Sequence, residues 1–122
     1  MSRGPLPNGD NKKYSLFIGR WQPWHEGHQT LVEKVLNEGK DVCIAIRDTP
    51  ISEENMFDAN FRKVVIERAM EKWGNRVKII IIPDIDEVCY GRKVGWGIRE
   101  IKLDEKTENI SATKIRQAIK DL

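Results

Sequence analysis

The sequence predicts an α/β fold, a parallel sheet in a three-layer sandwich with helices, on three observations. Short aliphatic runs at 14–19, 41–47 and 77–82 alternate with apolar residues at helical spacing over 28–37 and 59–72. The run at 77–82 is almost unbrokenly β-branched and that at 14–19 is aromatic and aliphatic, as in buried parallel strands. The chain has 122 residues, 39% of them hydrophobic, enough for one core and too few for two folded domains. Right-handed crossovers then bring the carboxyl ends of all strands to one edge, with strand one expected at the centre and helices on both faces.

Residues 1–13 are rich in Gly, Pro, Asn and Lys without an apolar period, so a flexible leader is expected there and the folded domain spans 14–122. The leader lacks the apolar stretch of a signal peptide, which implies a cytoplasmic protein. YSLFIG is strand one. Leu31, Val32, Val35 and Leu36 then mark a helix over 28–37, with Gly39 as its stop. DVCIAIR is strand two, and a polar loop with Pro50, Glu53 and Glu54 follows. Phe61, Val64, Val65, Ala69, Met70 and Trp73 define the expected buried face of the second helix, closed by Gly74-Asn75. VKIIII is strand three, expected to be buried on both faces. Val88-Cys89-Tyr90 and 99–103 read as two short strands around a turn at Gly91, Gly95 and Gly97. The chain closes on a helix over 110–122, with Ser111 as N-cap and Ile115, Ala118, Ile119 and Leu122 on one face.

Composition removes several function classes. Lys and Arg number 21 against 19 acidic residues, so a net charge of +2 supplies no broad cationic field for nucleic acid. The longest apolar run, 79–83, is far short of the ~20 residues of a membrane-spanning helix. Cys43 and Cys89 each sit in a short apolar stretch and read as buried free thiols. Glu26, Lys114, Glu53 and Glu54 read as surface residues.

Chemistry concentrates in two segments. Gly19-Arg20-Trp21-Gln22-Pro23-Trp24-His25-Glu26-Gly27-His28 leaves strand one, enters the first helix and holds both histidines of the chain. A helix beginning at the carboxyl end of a strand aims free N–H groups at a bound anion. Gly27 lets the backbone approach a phosphate between two imidazoles. The same histidines also suit plain surface or capping roles, and Trp21 and Trp24 suit either core packing or stacking on a base. At the other end, the Ser111 and Thr113 hydroxyls, the first-turn amides and Arg116 can hold a phosphate. A serine N-cap before a basic helix is common without that function.

Together these segments resemble the nucleotidylyltransferase superfamily, whose hallmarks are H-x-G-H after the first strand and I-S-x-T-x-x-R near the C-terminus. Here they stand as His25-Glu26-Gly27-His28 and Ile110-Ser111-Ala112-Thr113-Lys114-Ile115-Arg116. Residues 19–24 are similar to the G-R-F-Q-P-F segment of archaeal-type nicotinamide mononucleotide adenylyltransferases, with tryptophan at both phenylalanine positions. Asn55-Met56-Phe57 is similar to their N-P-F, Arg62 to the arginine of their G-E-R, and Ile82-Pro83-Asp84-Ile85 to their I-P-x-P-D-I. Met56 replaces the family proline, Asn60-Phe61 replace Gly-Glu, and T-G-N has only Tyr90-Gly91-Arg92 as a counterpart. The chain is also short between strand three and the last helix, where such enzymes build part of the acceptor pocket.

The resemblance implies a Rossmann-like fold of the HUP/nucleotidylyltransferase type. It implies that an acceptor phosphate attacks the α-phosphorus of a nucleoside triphosphate and displaces pyrophosphate, with Mg2+ carried on the phosphates and no metal held by protein side chains. His25, His28 and Arg116 are then catalytic. Gly19, Arg20, Gln22, Gly27, Ser111, Thr113 and Arg116 bind the nucleotide, and Arg47, Arg62 and Asp84 face a phosphorylated small-molecule acceptor. His28 and Arg116 are expected within ~12 Å of each other, close enough to share one triphosphate. The flank over 19–25 implies ATP as donor, with a CTP-dependent enzyme or a non-catalytic nucleotide-binding module as the alternatives. Dimers or larger homo-oligomers are usual among such proteins.

Overall fold

A computed structural model describes residues 12–89, 91 and 97–101. Its elements are β1 (Tyr14–Gly19), α1 (Glu26–Leu36), β2 (Asp41–Asp48), α2 (Ala59–Ala69), a 3₁₀ segment (Glu71–Arg76) and β3 (Val77–Pro83). The strands form one parallel sheet in the order β1-β2-β3, with Ile18 beside Ala45 and Ala45 beside Ile80. This is a Rossmann-like α/β arrangement, and the three strands and two helices expected over 14–83 are present.

Among the described residues β2 has a neighbour on each side and β1 has one, and the expected place of strand one at the centre of the whole sheet depends on residues outside those described. Burial follows position. In β2, Val42 to Ile46 are all buried, whereas β1 and β3 lie at the two sides, are only half-buried, and leave Leu16 57% exposed. The aliphatic run of β3 does not make it buried on both faces: its residues are half-buried or exposed. With strands in sequential order, right-handed crossovers put α1 and α2 on the same face. There Val32, Val35 and Leu36 of α1, Ala59 and Ile66 of α2 and its C-cap Met70 form one core with Val42, Ile44 and Ile46. Each fully buried aliphatic chain stabilises the fold by ~1.5–3 kcal/mol, which makes this face the main source of stability.

The helix ends have local causes. Glu26 lies in the first turn of α1 and Lys34 in its last, each matching the helix dipole, and Gly39 at φ +88° ends the turn that follows. Asp58 caps α2 by accepting a hydrogen bond from the Phe61 amide at 2.7 Å. The expected buried face of α2 is corrected. Phe61 and Val64 are exposed, and the inward stripe is Ala59, Arg62, Ile66 and Met70. An arginine in that stripe hid it from a reading based on apolar periodicity.

Cys43 is buried as expected, but Cys89 is exposed, in a segment around Val88 and Cys89 that is not a strand. Residues 99–101 are likewise not a strand; Arg99 forms a two-pronged ion pair with Glu38 at the end of α1, and Ile101 packs on the core. Lys12 donates to the Asn75 carbonyl at 3.1 Å, so the end of the expected leader touches the body. The expected helix over 110–122, with Ser111, Thr113, Lys114 and Arg116, lies outside the described residues, as do 1–11 of the leader, Tyr90 and Gly95.

Candidate functional site

The segment between β1 and α1 is built by packing before any ligand is considered. Trp21 lies in the core and donates its indole N–H to the Ala45 carbonyl at 3.0 Å, which pins the segment to the central strand. A Cβ on Gly19 would sit 2.9 Å from the Trp21 ring, so the tryptophan requires glycine there. Gln22 is 1% exposed; its amide donates to the Phe57 carbonyl and accepts from the Phe57 amide, at 2.8 and 3.1 Å. Both residues were expected to bind nucleotide. In the structure the tight fit at Gly19 and the hydrogen bonds of Gln22 hold the loop in shape.

The histidines emerge from this frame. His25 caps α1: its Nδ1 accepts from the Gly27 amide at 3.0 Å, while the His25 amide donates to His28 Nδ1 at 3.2 Å. The two imidazoles stack at 3.6 Å between centroids and 20° between planes. Trp21 meets His28 edge-on at 4.9 Å, and Trp24 lies 5.5 Å from it. Because both Nδ1 atoms accept backbone protons, the neutral rings carry their own proton on Nε2, a tautomer read from this hydrogen-bond pattern. Burial, followed by the charge of His25, pushes His28 down to about 3, and burial lowers His25 as well. Two uncharged, parallel rings thus hold N–H donors at the start of an 11-residue helix whose dipole favours an anion.

Arg62 does something else. It is 1% exposed and donates from Nε to the carbonyls of Phe57 and Asp58 at 3.0 and 3.2 Å. Its Nη1 donates to the carbonyls of Arg20 and Arg47 at 2.6 and 2.9 Å. The expected acceptor ligand is therefore a buried clamp joining the segments that follow β1 and β2. Burial lowers its pKa, against the raising effect of Asp48 and Asp58; a guanidinium still keeps its charge. Its Nη2 and the Thr49 hydroxyl are buried without a hydrogen-bond partner among the described residues.

Arg20 and the other two expected acceptor residues lie around this clamp. Arg20 donates to the Asn55 side chain at 3.1 Å. Arg47 grips one oxygen of Asp84 through Nε at 2.8 Å and Nη2 at 2.7 Å, joining the carboxyl ends of β2 and β3. That contact, with a second hydrogen bond from the Ile85 amide, holds the Asp84 carboxyl below its ordinary range. So the structure gathers His25, His28, Arg20, Arg47 and Asp84 at the carboxyl edge of the sheet, with Gly19, Gln22 and Arg62 inside the frame. Gly27 is buried in the first turn of α1, where its amide serves the His25 cap.

Sequence reasoning passed over Gln29 and Glu33, which with Trp73 form a polar chain running from Trp24 along α1. The i, i+4 spacing of Gln29 and Glu33 was the available signal. Among the described residues no cluster of three His, Cys, Asp or Glu side chains is placed to hold a metal ion. No helix among them is long and apolar enough to cross a membrane.

Comparison with known proteins converges on this region. The family described as cytidylyltransferase-like matches residues 16–81, a stretch that runs from β1 into β3 and contains the histidine pair and the Arg62 clamp. The nicotinamide-nucleotide adenylyltransferase of Methanococcus aeolicus is 28% identical over 132 aligned positions, covering 86% of this chain and 76% of that protein. Its namesake from Thermoplasma acidophilum is 36% identical over 63 positions, 50% of this chain and 35% of the relative. The namesake from Methanosphaerula palustris is 33% identical over 73 positions, 58% of this chain and 44% of the relative. The chain thus spans three quarters of the first relative and less than half of the other two.

Proposed function

The chain belongs to the cytidylyltransferase-like family, a family of nucleotidyltransferases, and on that premise we propose that it transfers AMP from ATP to a phosphorylated small-molecule acceptor. Nicotinamide mononucleotide is the first acceptor to test, because the relatives are named for a nicotinamide nucleotide. The observation that carries the reading is the stacked, uncharged histidine pair with Nε2–H donors at the start of α1.

In the proposed reaction an oxygen of the acceptor phosphate forms a bond to the α-phosphorus of ATP. The bond from that phosphorus to the oxygen bridging to the β-phosphorus breaks, and pyrophosphate leaves with the electron pair. The acceptor phosphate is already ionised near neutral pH, so no general base is needed, and catalysis rests on positioning and charge stabilisation. His25 and His28 donate hydrogen bonds to α- and β-phosphate oxygens. With His28 held near pKa 3, it serves as a fixed donor and transfers no proton at neutral pH. Ser111, Thr113 and Arg116 take the β- and γ-phosphates, and Arg20 braces the triphosphate or the acceptor. Magnesium, where present, is held by the phosphates and water, and the residues of this chain address the phosphate oxygens alone.

The assay is pyrophosphate release from ATP and, separately, from CTP, with nicotinamide mononucleotide and a panel of other phosphorylated acceptors. Release that requires ATP and one phosphorylated acceptor is expected. Release with CTP alone overturns the donor, and nucleotide binding without release under any acceptor makes the chain a binding module.

A further inference from the structure

The loop holding the histidines is fastened on its outer side by one residue that the phosphate chemistry does not use. Trp24 donates its indole N–H to Gln29 Oε1 at 2.9 Å. The other end of the same amide donates to Glu33 Oε2 at 3.0 Å and to the Ala69 carbonyl, at the end of α2, at 3.3 Å. Glu33 Oε2 also accepts from the Trp73 indole at 2.8 Å and pairs with Lys72 at 3.1 Å. The chain of partners is therefore directional: indole to amide oxygen, amide nitrogen to carboxylate, carboxylate to a second indole and an ammonium.

That direction restricts what position 29 can be. An indole N–H only donates, and a carboxylate flanked by Lys72 only accepts. The residue between them must accept at one end and donate at the other, which a primary amide does. Glu33 is held below its ordinary range by hydrogen bonds from Trp73, Lys72 and Gln29, against the opposing effect of burial, so its acceptor state is secured. At the far end, Trp24 lies 5.5 Å from the His28 ring and 5.4 Å from Trp21, so its indole helps wall in the histidine pair.

We infer that Gln29 is a positioning residue for the histidine pair, holding Trp24 over His28 through one end of its amide while the other end is anchored on Glu33 and the end of α2. Its catalytic consequence rests on the proposed adenylyl transfer, but its structural consequence does not. A loosened Trp24 opens the His28 ring to water, so the ring protonates at higher pH and its Nε2–H no longer points along one line.

The test is Gln29→Leu, read by imidazole nitrogen NMR of the full chain across a pH titration, alongside turnover wherever the parent shows any. The expected result is a His28 midpoint that moves up toward the ordinary histidine value, and a turnover about tenfold lower with a smaller change in the KM for ATP. Trp24→Phe removes the same hydrogen bond from the other side. It should reproduce the His28 shift, and Gln29→Leu on that background should add little. An unchanged His28 titration in both Gln29→Leu and Trp24→Phe overturns the inference, leaving Gln29 as a bond between helices. If the parent turns over no nucleotide, the adenylyl-transfer reading fails and the titration still decides the role of Gln29.

Discussion

The two strand-to-helix junctions at the carboxyl edge of the sheet use similar materials for opposite ends. Between β1 and α1, the capping group is an imidazole, and each ring spends one nitrogen on the backbone while the other is a donor. Between β2 and α2, the cap is Asp58, and the strongest donor nearby, Arg62, turns inward and gives four hydrogen bonds to main-chain carbonyls. One junction presents donors and the other consumes them. The second also locates the first, since Arg62 holds the carbonyl of Arg20, the residue before Trp21. A polar residue at this edge is therefore classified by what its hydrogens are already doing, and residue type alone does not separate ligand from frame.

The largest expected effect falls on the frame. Arg62→Leu removes a buried cation and strands four carbonyls, so it should lower the free energy of unfolding by ~3–5 kcal/mol, read by denaturant titration. If Arg62 instead served the acceptor, Arg62→Leu would raise the acceptor KM at unchanged stability, and the contrast between the junctions would break.

On the presenting side the effect should be catalytic. His28→Ala removes one transition-state donor and should lower turnover ~100-fold or more. Because His28 also receives the His25 amide in the helix cap, a stability loss of ~1 kcal/mol accompanies it. Parent-like turnover in both His28→Ala and His25→Ala would leave the pair as a cap and nothing more.

Acid sharpens the same contrast. The His28 pKa falls from 6.5 to about 3 on folding, so between those values the unfolded chain binds the extra proton and falling pH favours unfolding. The contribution is whole above pH 6.5 and is lost as pH falls toward 3. One such proton gives a slope of up to ~1.4 kcal/mol per pH unit. Just below pH 6.5, above the range where Glu33, Glu38 and Asp84 titrate, that slope should be steeper in the parent than in His28→Ala, which keeps only the contribution of the buried His25. An acid limb equally steep in both proteins would assign it to other groups.

Much of this was legible in the sequence, and what was not has a physical reason. β1 is found where its aliphatic run ends on glycine, and β2 and β3 extend only one residue past the runs that predicted them, because a strand is a local pattern. The order of strands is a long-range choice, and YSLFIG alone discloses only that β1 is a strand, its pairing with β2 being read from the folded chain. His25 and His28 were found through their spacing around Gly27. Gln22 and Arg62 stood out as candidates too, but their burial depends on Phe57 and on the Arg20 and Arg47 carbonyls, which only the folded chain brings near. The buried face of α2 was misread for the same reason: Arg62 takes a core position that an apolar count assigns to Phe61 and Val64.

The smallest expected effect concerns Arg47 and Asp84, which belong to neither junction. Their pair is partly exposed, at 31% and 44% for the two side chains, so it adds little to stability. Its interest is that both Arg47 nitrogens grip one carboxylate oxygen, the geometry a phosphate oxygen would also accept. If Arg47 is to take the acceptor phosphate, Asp84 competes for the same donors, and removing its charge frees them. Asp84→Asn should then lower the acceptor KM by a few-fold at low ionic strength, with the gain shrinking as salt screens the arginine. Arg47→Ala should raise the KM under the same conditions with little change in stability. The two changes act in opposite directions only if Arg47 presents its hydrogens as the histidines do. If both raise the KM together, the pair braces the ends of β2 and β3, and Arg47 joins Arg62 on the side of the frame.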